Sequence, residues 1–147
     1  MSTQNFSYNF TTSKSPEEIF NFLIDPKRWW IGLHNEIIIG NSGKLNDEFT
    51  FSAANGVHNS VQKLVELIPN EKITWEVVDS NLTFLKTRNE WTGTKISFEI
   101  LKEEQEIKIL FRHEGLTPEF ECYNGCSSAW TQYLGNLDRK LNSQRLF

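Results

Sequence analysis

Three residues in this sequence, His113, Cys122 and Cys126, combine types and spacing that could do chemistry. Ile107, Ile109, Phe111 and His113 recur at every second position, so strand periodicity places the imidazole on the same inward face as its apolar neighbours. A histidine there can orient a ligand, act as a general acid or base, or satisfy backbone groups where the strand ends. Together the three could supply ligands to zinc, but their spacing matches no closed structural-zinc pattern. A cysteine nucleophile needs a base and an orienting third group, and no third group is evident. The expectation is two buried, reduced thiols, since a disulfide between residues four apart on a helix is geometrically awkward. His34 and His58 fall in loop or turn regions, where solvated side chains are expected. Glu76, Arg88 and Glu90 have the spacing of outward-facing charges. No glycine-rich phosphate loop, Ser-His-Asp signature or carboxylate pair at suggestive spacing is present, and no metal or cofactor is implied.

Binding is the chemistry that the remaining side chains favour, because the chain carries eleven Phe and five Trp residues. Their positions follow from the elements. Asn5 to Thr12 alternates as a half-buried strand. Ser15-Pro16-Glu17-Glu18 has the form of a capping box with proline at the first helical position, and Asp25-Pro26 repeats the cap-and-proline signal. Two short helices are predicted, the second ending at Trp29 and Trp30. From Leu33 to His113 the signals are those of strands: Ile37 to Ile39, Glu48 to Ala53, Val61 to Ile68, Lys72 to Val78, a short piece at Leu82 to Leu85, Ile96 to Ile100 and Ile107 to His113. Asn55-Gly56 marks a hairpin turn. Thr117 to Leu146 reads as a long amphipathic helix with Thr117 as N-cap. Gly125, which costs about 1 kcal/mol against alanine, leaves open a separate turn over Pro118 to Asn124.

The predicted class is α+β: a curved antiparallel sheet of about six to seven strands gripping the C-terminal helix, one domain over residues 1–147. One helix cannot fill the concavity of a wide curved sheet, so an aromatic-lined pocket is expected between them. At 147 residues a single core needs no metal or disulfide staple. A net charge of -4 and a pI near 5.4 argue against a nucleic-acid partner. No apolar run reaches the roughly 20 residues that span a bilayer. The first residues lack the features of a signal peptide, so a cytoplasmic protein is the expectation.

The sequence also resembles a known family. Ser15-Pro16-Glu17-Glu18-Ile19-Phe20, Trp29-Trp30, Glu90-Trp91-Thr92-Gly93-Thr94 and the run Phe111-Arg112-His113-Glu114-Gly115-Leu116-Thr117-Pro118-Glu119, followed by Glu121-Cys122-Tyr123 and Ala129-Trp130, are similar to the START-related, birch-pollen-allergen-like superfamily. Within it, the chain resembles the branch that includes the C-terminal domain of the heat-shock protein 90 ATPase activator. The resemblance implies a helix-grip fold with a hydrophobic cavity for lipids, sterols or polyketide-like molecules.

The leading expectation is therefore a protein that binds a small apolar or amphipathic molecule. Trp75, Phe98, Phe111, Trp130 and Tyr133 supply contact area, His113 a polar anchor, and Trp29 and Trp30 the mouth. One alternative is an enzyme of the polyketide cyclase or hydrolase kind using His113. The other is a chaperone-interacting module.

Overall fold

The structure, a computed structural model, describes residues 5–142. Period-two patterning builds the sheet. Strands β1 (Phe6–Thr12), β2 (Ile37–Gly40), β3 (Glu48–Ala53), β4 (His58–Ile68), β5 (Lys72–Leu82), β6 (Lys95–Lys102) and β7 (Ile107–Glu114) pair in the order β1-β7-β6-β5-β4-β3-β2. Every neighbouring pair is antiparallel. The β3–β4 hairpin turns through Ala54, Asn55 and Gly56, whose φ values of 54°, 59° and 88° show why Asn-Gly sits there. β4 begins at His58, earlier than the predicted Val61, so this histidine belongs to a strand and not to a loop. The predicted strand at Leu82 to Leu85 is a turn closed by the Leu85 N–H on the Leu82 carbonyl at 3.0 Å.

Helix α1 (Pro16–Leu23) starts with the reciprocal cap predicted for it. Ser15 Oγ accepts from the Glu18 N–H at 3.2 Å, and Glu18 Oε1 accepts from the Ser15 N–H at 3.1 Å. The second short helix is only a 3-10 turn, Pro26–Arg28. Asp25 Oδ1 does accept from the Lys27 N–H, but the chain leaves helical geometry at Trp29. There the indole N–H reaches back to the Leu23 carbonyl at 2.9 Å, and both Trp29 and Trp30 turn into the core. Burying two indoles outweighs another helical turn.

The long helix, α2, spans Tyr123–Asn142; residues 143–146 of the predicted helix lie outside the described part. It starts after the Thr117-Pro118 signal because Thr117 to Cys122 forms turns held from another element. Glu90, in the segment between β5 and β6, accepts from the N–H groups of Glu121 and Cys122 at 2.6 and 3.3 Å. Glu121 in return accepts from the Lys86 and Thr87 N–H groups. Each carboxylate ties down backbone N–H groups of the other's segment, as at a helix cap. Beyond this clamp, Cys126, Trp130, Tyr133, Leu134, Leu137 and Leu141 make the buried face of α2. Among the described residues no helix is long and apolar enough to cross a membrane.

Candidate functional site

The space between sheet and α2 is filled at one end and open at the other. Trp29, Trp75, Phe98 and Phe111 are fully buried, with Trp29 edge-on to Phe98 at 5.1 Å and Phe98 edge-on to Phe111 at 5.1 Å. Towards the β3–β4 hairpin a cavity of about 240 Å³ remains. β3 contributes Phe51 and Ala53 to its wall, β4 contributes His58, and the segment after β5 contributes Phe84 and Trp91. α2 supplies Cys126, Ala129, Trp130 and Tyr133, and Trp30 reaches in from the turn after α1. A larger cleft of about 620 Å³ lies between the Asp25–Lys27 turn and the Gly40–Asp47 segment. It is walled by Asp25, Lys27, Lys44 and Asp47, so it is a polar surface groove without convergent buried groups.

Of the residues predicted to contact a ligand, Trp30, Trp130 and Tyr133 line the smaller cavity. Trp29, Trp75, Phe98, Phe111 and His113 lie outside its lining, in the packed interior. Trp75 closes its own polar requirement by donating its indole N–H to Ser42 Oγ at 2.9 Å. Trp30 connects the two regions, stacked on Phe51 at 3.9 Å and on Trp130 at 5.0 Å.

His113 is engaged on both ring nitrogens. The Trp130 indole N–H can only donate, so its 3.0 Å contact fixes Nδ1 as the acceptor. Nε2 then carries the proton and donates to Thr94 Oγ1 at 2.8 Å, while the Thr94 hydroxyl donates to the Trp91 carbonyl at 2.6 Å. The result is a directed chain from α2 through β7 to the segment before β6. Burial, with a smaller contribution from His58, lowers the His113 pKa to about 3, so the imidazole is neutral at pH 7. Gly115 supports this arrangement: its φ is +99°, and a Cβ there would lie 2.8 Å from Thr94 Cγ2.

The other groups near the cavity are set by comparable contacts. Glu36 accepts from the Tyr133 hydroxyl at 2.5 Å and from the N–H groups of Gly32, Leu33 and His34 at 2.8, 3.1 and 2.8 Å. Burial pushes its carboxyl up, but these hydrogen bonds outweigh it and leave the pKa below the ordinary value. The Tyr133 phenol is held well above its usual range by burial and then by Glu36. Cys126 is likewise raised, by its hydrogen bond with Cys122 and by burial, and stays a thiol. Cys122 Sγ accepts from the Trp91 indole N–H at 3.3 Å. Glu90, expected as an outward-facing charge, serves the α2 clamp.

Most of the wall went unrecognised in the sequence, including the exposed His34 at its edge, and two of its residues are instructive. His58 pairs with Ala53 across the hairpin and packs edge-on against Phe51 at 5.2 Å and Trp91 at 4.6 Å. Its signal was the spacing His58, Ser60, Gln62, Leu64, one strand face disguised by polar side chains. Trp91 sits in a turn-rich segment with no periodicity, and nothing local marks it as buried.

A sequence profile described as activator of Hsp90 ATPase homolog 1-like protein matches residues 13–142. The chain belongs to the activator of Hsp90 ATPase homolog 1-like family. Solved structures agree on the fold of this family member. The Aha1 dimer from Colwellia psychrerythraea shares 23% identity over 97% of this chain and 99% of that one, with a TM-score of 0.74. Protein MLL2253 from Mesorhizobium loti shares 16% over 97% and 100%, also with a TM-score of 0.74. ChR145 from Cytophaga hutchinsonii shares 10% over 96% of each chain, with a TM-score of 0.69. None of the curated proteins matches the sequence.

Proposed function

We propose that this family member is a cytosolic binding protein for a small, largely apolar molecule, held in the cavity between the β3–β4 hairpin, the Trp91 segment and α2. The observation that carries this reading is the cavity itself, about 240 Å³ walled mainly by aromatic and aliphatic side chains. A cavity of about 150 Å³ with such a lining takes up benzene. The volume therefore suits a one- or two-ring molecule better than a sterol or a long acyl chain. An aromatic of that size buries roughly 150–250 Å² of apolar surface, worth about 4–6 kcal/mol at about 25 cal/mol per Å². Affinities from tens of micromolar to about millimolar follow. Titrating the labelled protein with one- and two-ring aromatics should give saturable NMR shifts on the indoles of Trp30, Trp91 and Trp130, while Trp75 stays unmoved. Unchanged spectra across such a library reject the reading.

An enzyme using His113 is less well supported. General acid–base work needs a ring nitrogen free to exchange a proton with substrate, and both nitrogens of His113 are committed to core hydrogen bonds away from the cavity wall.

A chaperone contact has one specific observation in its favour. Edge strand β2 exposes Ile37 and Ile39, at 59% and 67%, on one face, a surface to which an extended segment of a partner could add. With a heat-shock protein 90 chaperone as partner, I37K/I39K should weaken binding at least tenfold in calorimetry. A wild-type protein that fails to bind at high micromolar concentration removes this reading.

A further inference from the structure

The two edges of the sheet differ. At β1, the long helix reaches the strand's backbone, Asn142 Nδ2 donating to the Thr11 carbonyl at 3.1 Å. At β2, among the described residues, no backbone group outside the β2–β3 ladder bonds to Ile37–Gly40. The strand also lacks the usual protections of an open edge, since it carries no charge, proline or bulge. Its register fixes which groups face outward. The Asn41 N–H bonds the Glu48 carbonyl at 3.1 Å, and antiparallel ladder bonds fall on alternate residues, so Asn41, Ile39 and Ile37 bond towards β3. The N–H and C=O groups of Ile38 and Gly40 therefore point to the open side. Ile37 and Ile39 stand on the outer face of the sheet, 59% and 67% exposed, while Ile38 packs against the core on the inner face.

We propose that this edge is the contact between two copies of the chain, β2 pairing antiparallel with itself about a two-fold axis at Ile38. Each Ile38 then exchanges N–H and C=O with Ile38 of the second copy, and Gly40 lies against Glu36, joining two seven-stranded sheets into one. On the outer face Ile37 lies directly across from Ile39 of the second copy, in the closer kind of cross-strand pair. Moving the axis to Ile37 or Ile39 would leave an isoleucine facing Asn35 or Asn41. Glu36 meets a glycine, so no like charges oppose each other. The edge is thus complementary to itself, which favours a second copy over an unrelated strand. Four residues a side make a small contact, under roughly 1,200 Å², so the dimer is expected to be weak and concentration-dependent. The proposal is independent of the cavity reading, and a chaperone segment at this edge would have to displace the second copy.

The test is sedimentation velocity on the full chain between roughly 10 µM and 1 mM, with amide hydrogen exchange read over the same range. The wild type should pass from monomer to dimer, and the Ile38 and Gly40 amides should exchange several-fold more slowly as it does, while the Ile39 amide, already bonded to β3, stays unchanged. I37K/I39K sets lysine against lysine across the axis and should weaken association at least tenfold. I37K/I39E sets lysine against glutamate in this register alone and should recover it. A monomer throughout the range overturns the proposal. So does a dimer in which the Ile38 and Gly40 amides exchange as in the monomer, or one that I37K/I39K leaves intact. Equal loss in I37K/I39K and I37K/I39E overturns the two-fold register. The wild-type exchange data decide the matter even where a variant does not fold.

Discussion

Trp130→Ala is expected to lower stability by about 3–5 kcal/mol, the usual range for deleting a fully buried large aromatic. Three interactions end together in this variant. The ring packs on Phe111 at 4.7 Å, stacks between Trp30 and Trp91, and its N–H is the donor that fixes the tautomer of His113. Trp130→Phe separates the contributions, because it keeps an aromatic ring and removes the donor. It should still cost about 1–3 kcal/mol, the penalty for leaving a buried acceptor, His113 Nδ1, unpaired. Urea unfolding followed by circular dichroism reads both values. A Trp130→Phe variant within about 0.5 kcal/mol of wild type, the range of ordinary surface substitutions, shows that the directed chain through His113 contributes little.

Acid should weaken the protein well before its carboxylates titrate. Two histidines have folded-state pKa values far below the ordinary 6.5, about 4 for the half-buried His58 and about 3 for the fully buried His113, and desolvation is the main cause for each. The unfolded chain takes up protons below about pH 6.5 while the folded chain does not, so stability rises with pH across this window and falls on acidification. Each histidine contributes a slope of about 1.4 kcal/mol per pH unit between its unfolded and folded values. From pH 6.5 to 4.5 the two together remove on the order of 4 kcal/mol, against a typical total of about 5–15 kcal/mol. Glu36, whose pKa is depressed, adds a further loss only as pH falls below the usual carboxylate value and through its own. Urea midpoints at pH 7, 6 and 5 measure the slope, and His58→Phe should reduce it by about half. A midpoint that does not move between pH 6.5 and 5 contradicts the burial of both imidazoles.

The sheet and the long helix were legible because their signals are local and periodic. Phe6, Tyr8 and Phe10 alternate in sequence and lie along β1, and Ser15 with Glu18 makes the reciprocal cap that its spacing implied. What escaped was set by partners distant in sequence. Thr117-Pro118 carries the local marks of a helix start, and Gly125 left open the separate turn that precedes α2 at Tyr123, but nothing local showed that Glu90, from another segment, holds the N–H groups of that turn. Trp29 leaves helical geometry to reach the Leu23 carbonyl and the core. The cavity was anticipated as a class, since a single helix cannot fill a curved sheet. Its position was not, because which aromatics fill the interior and which border space depends on side-chain packing across seven strands. His113 read as the inward-facing polar anchor of the site because its alternation with Ile107, Ile109 and Phe111 was plain. The two bonds that engage its ring come from Trp130 and go to Thr94, which in turn donates to Trp91, and no pattern in the sequence joins those residues.

Four of the five tryptophans form a ladder. Trp29 lies on Trp30 at 5.8 Å and 7°, Trp30 on Trp130 at 5.0 Å and 29°, and Trp130 on Trp91 at 6.0 Å and 10°. Indoles this close and this nearly parallel share an excitation rather than emitting singly. Excitation absorbed by any of the four is expected to spread along the stack, so the protein's ultraviolet emission is a property of the array. A quencher resting in the cavity against Trp30, Trp91 or Trp130 is expected to darken the other rungs as well.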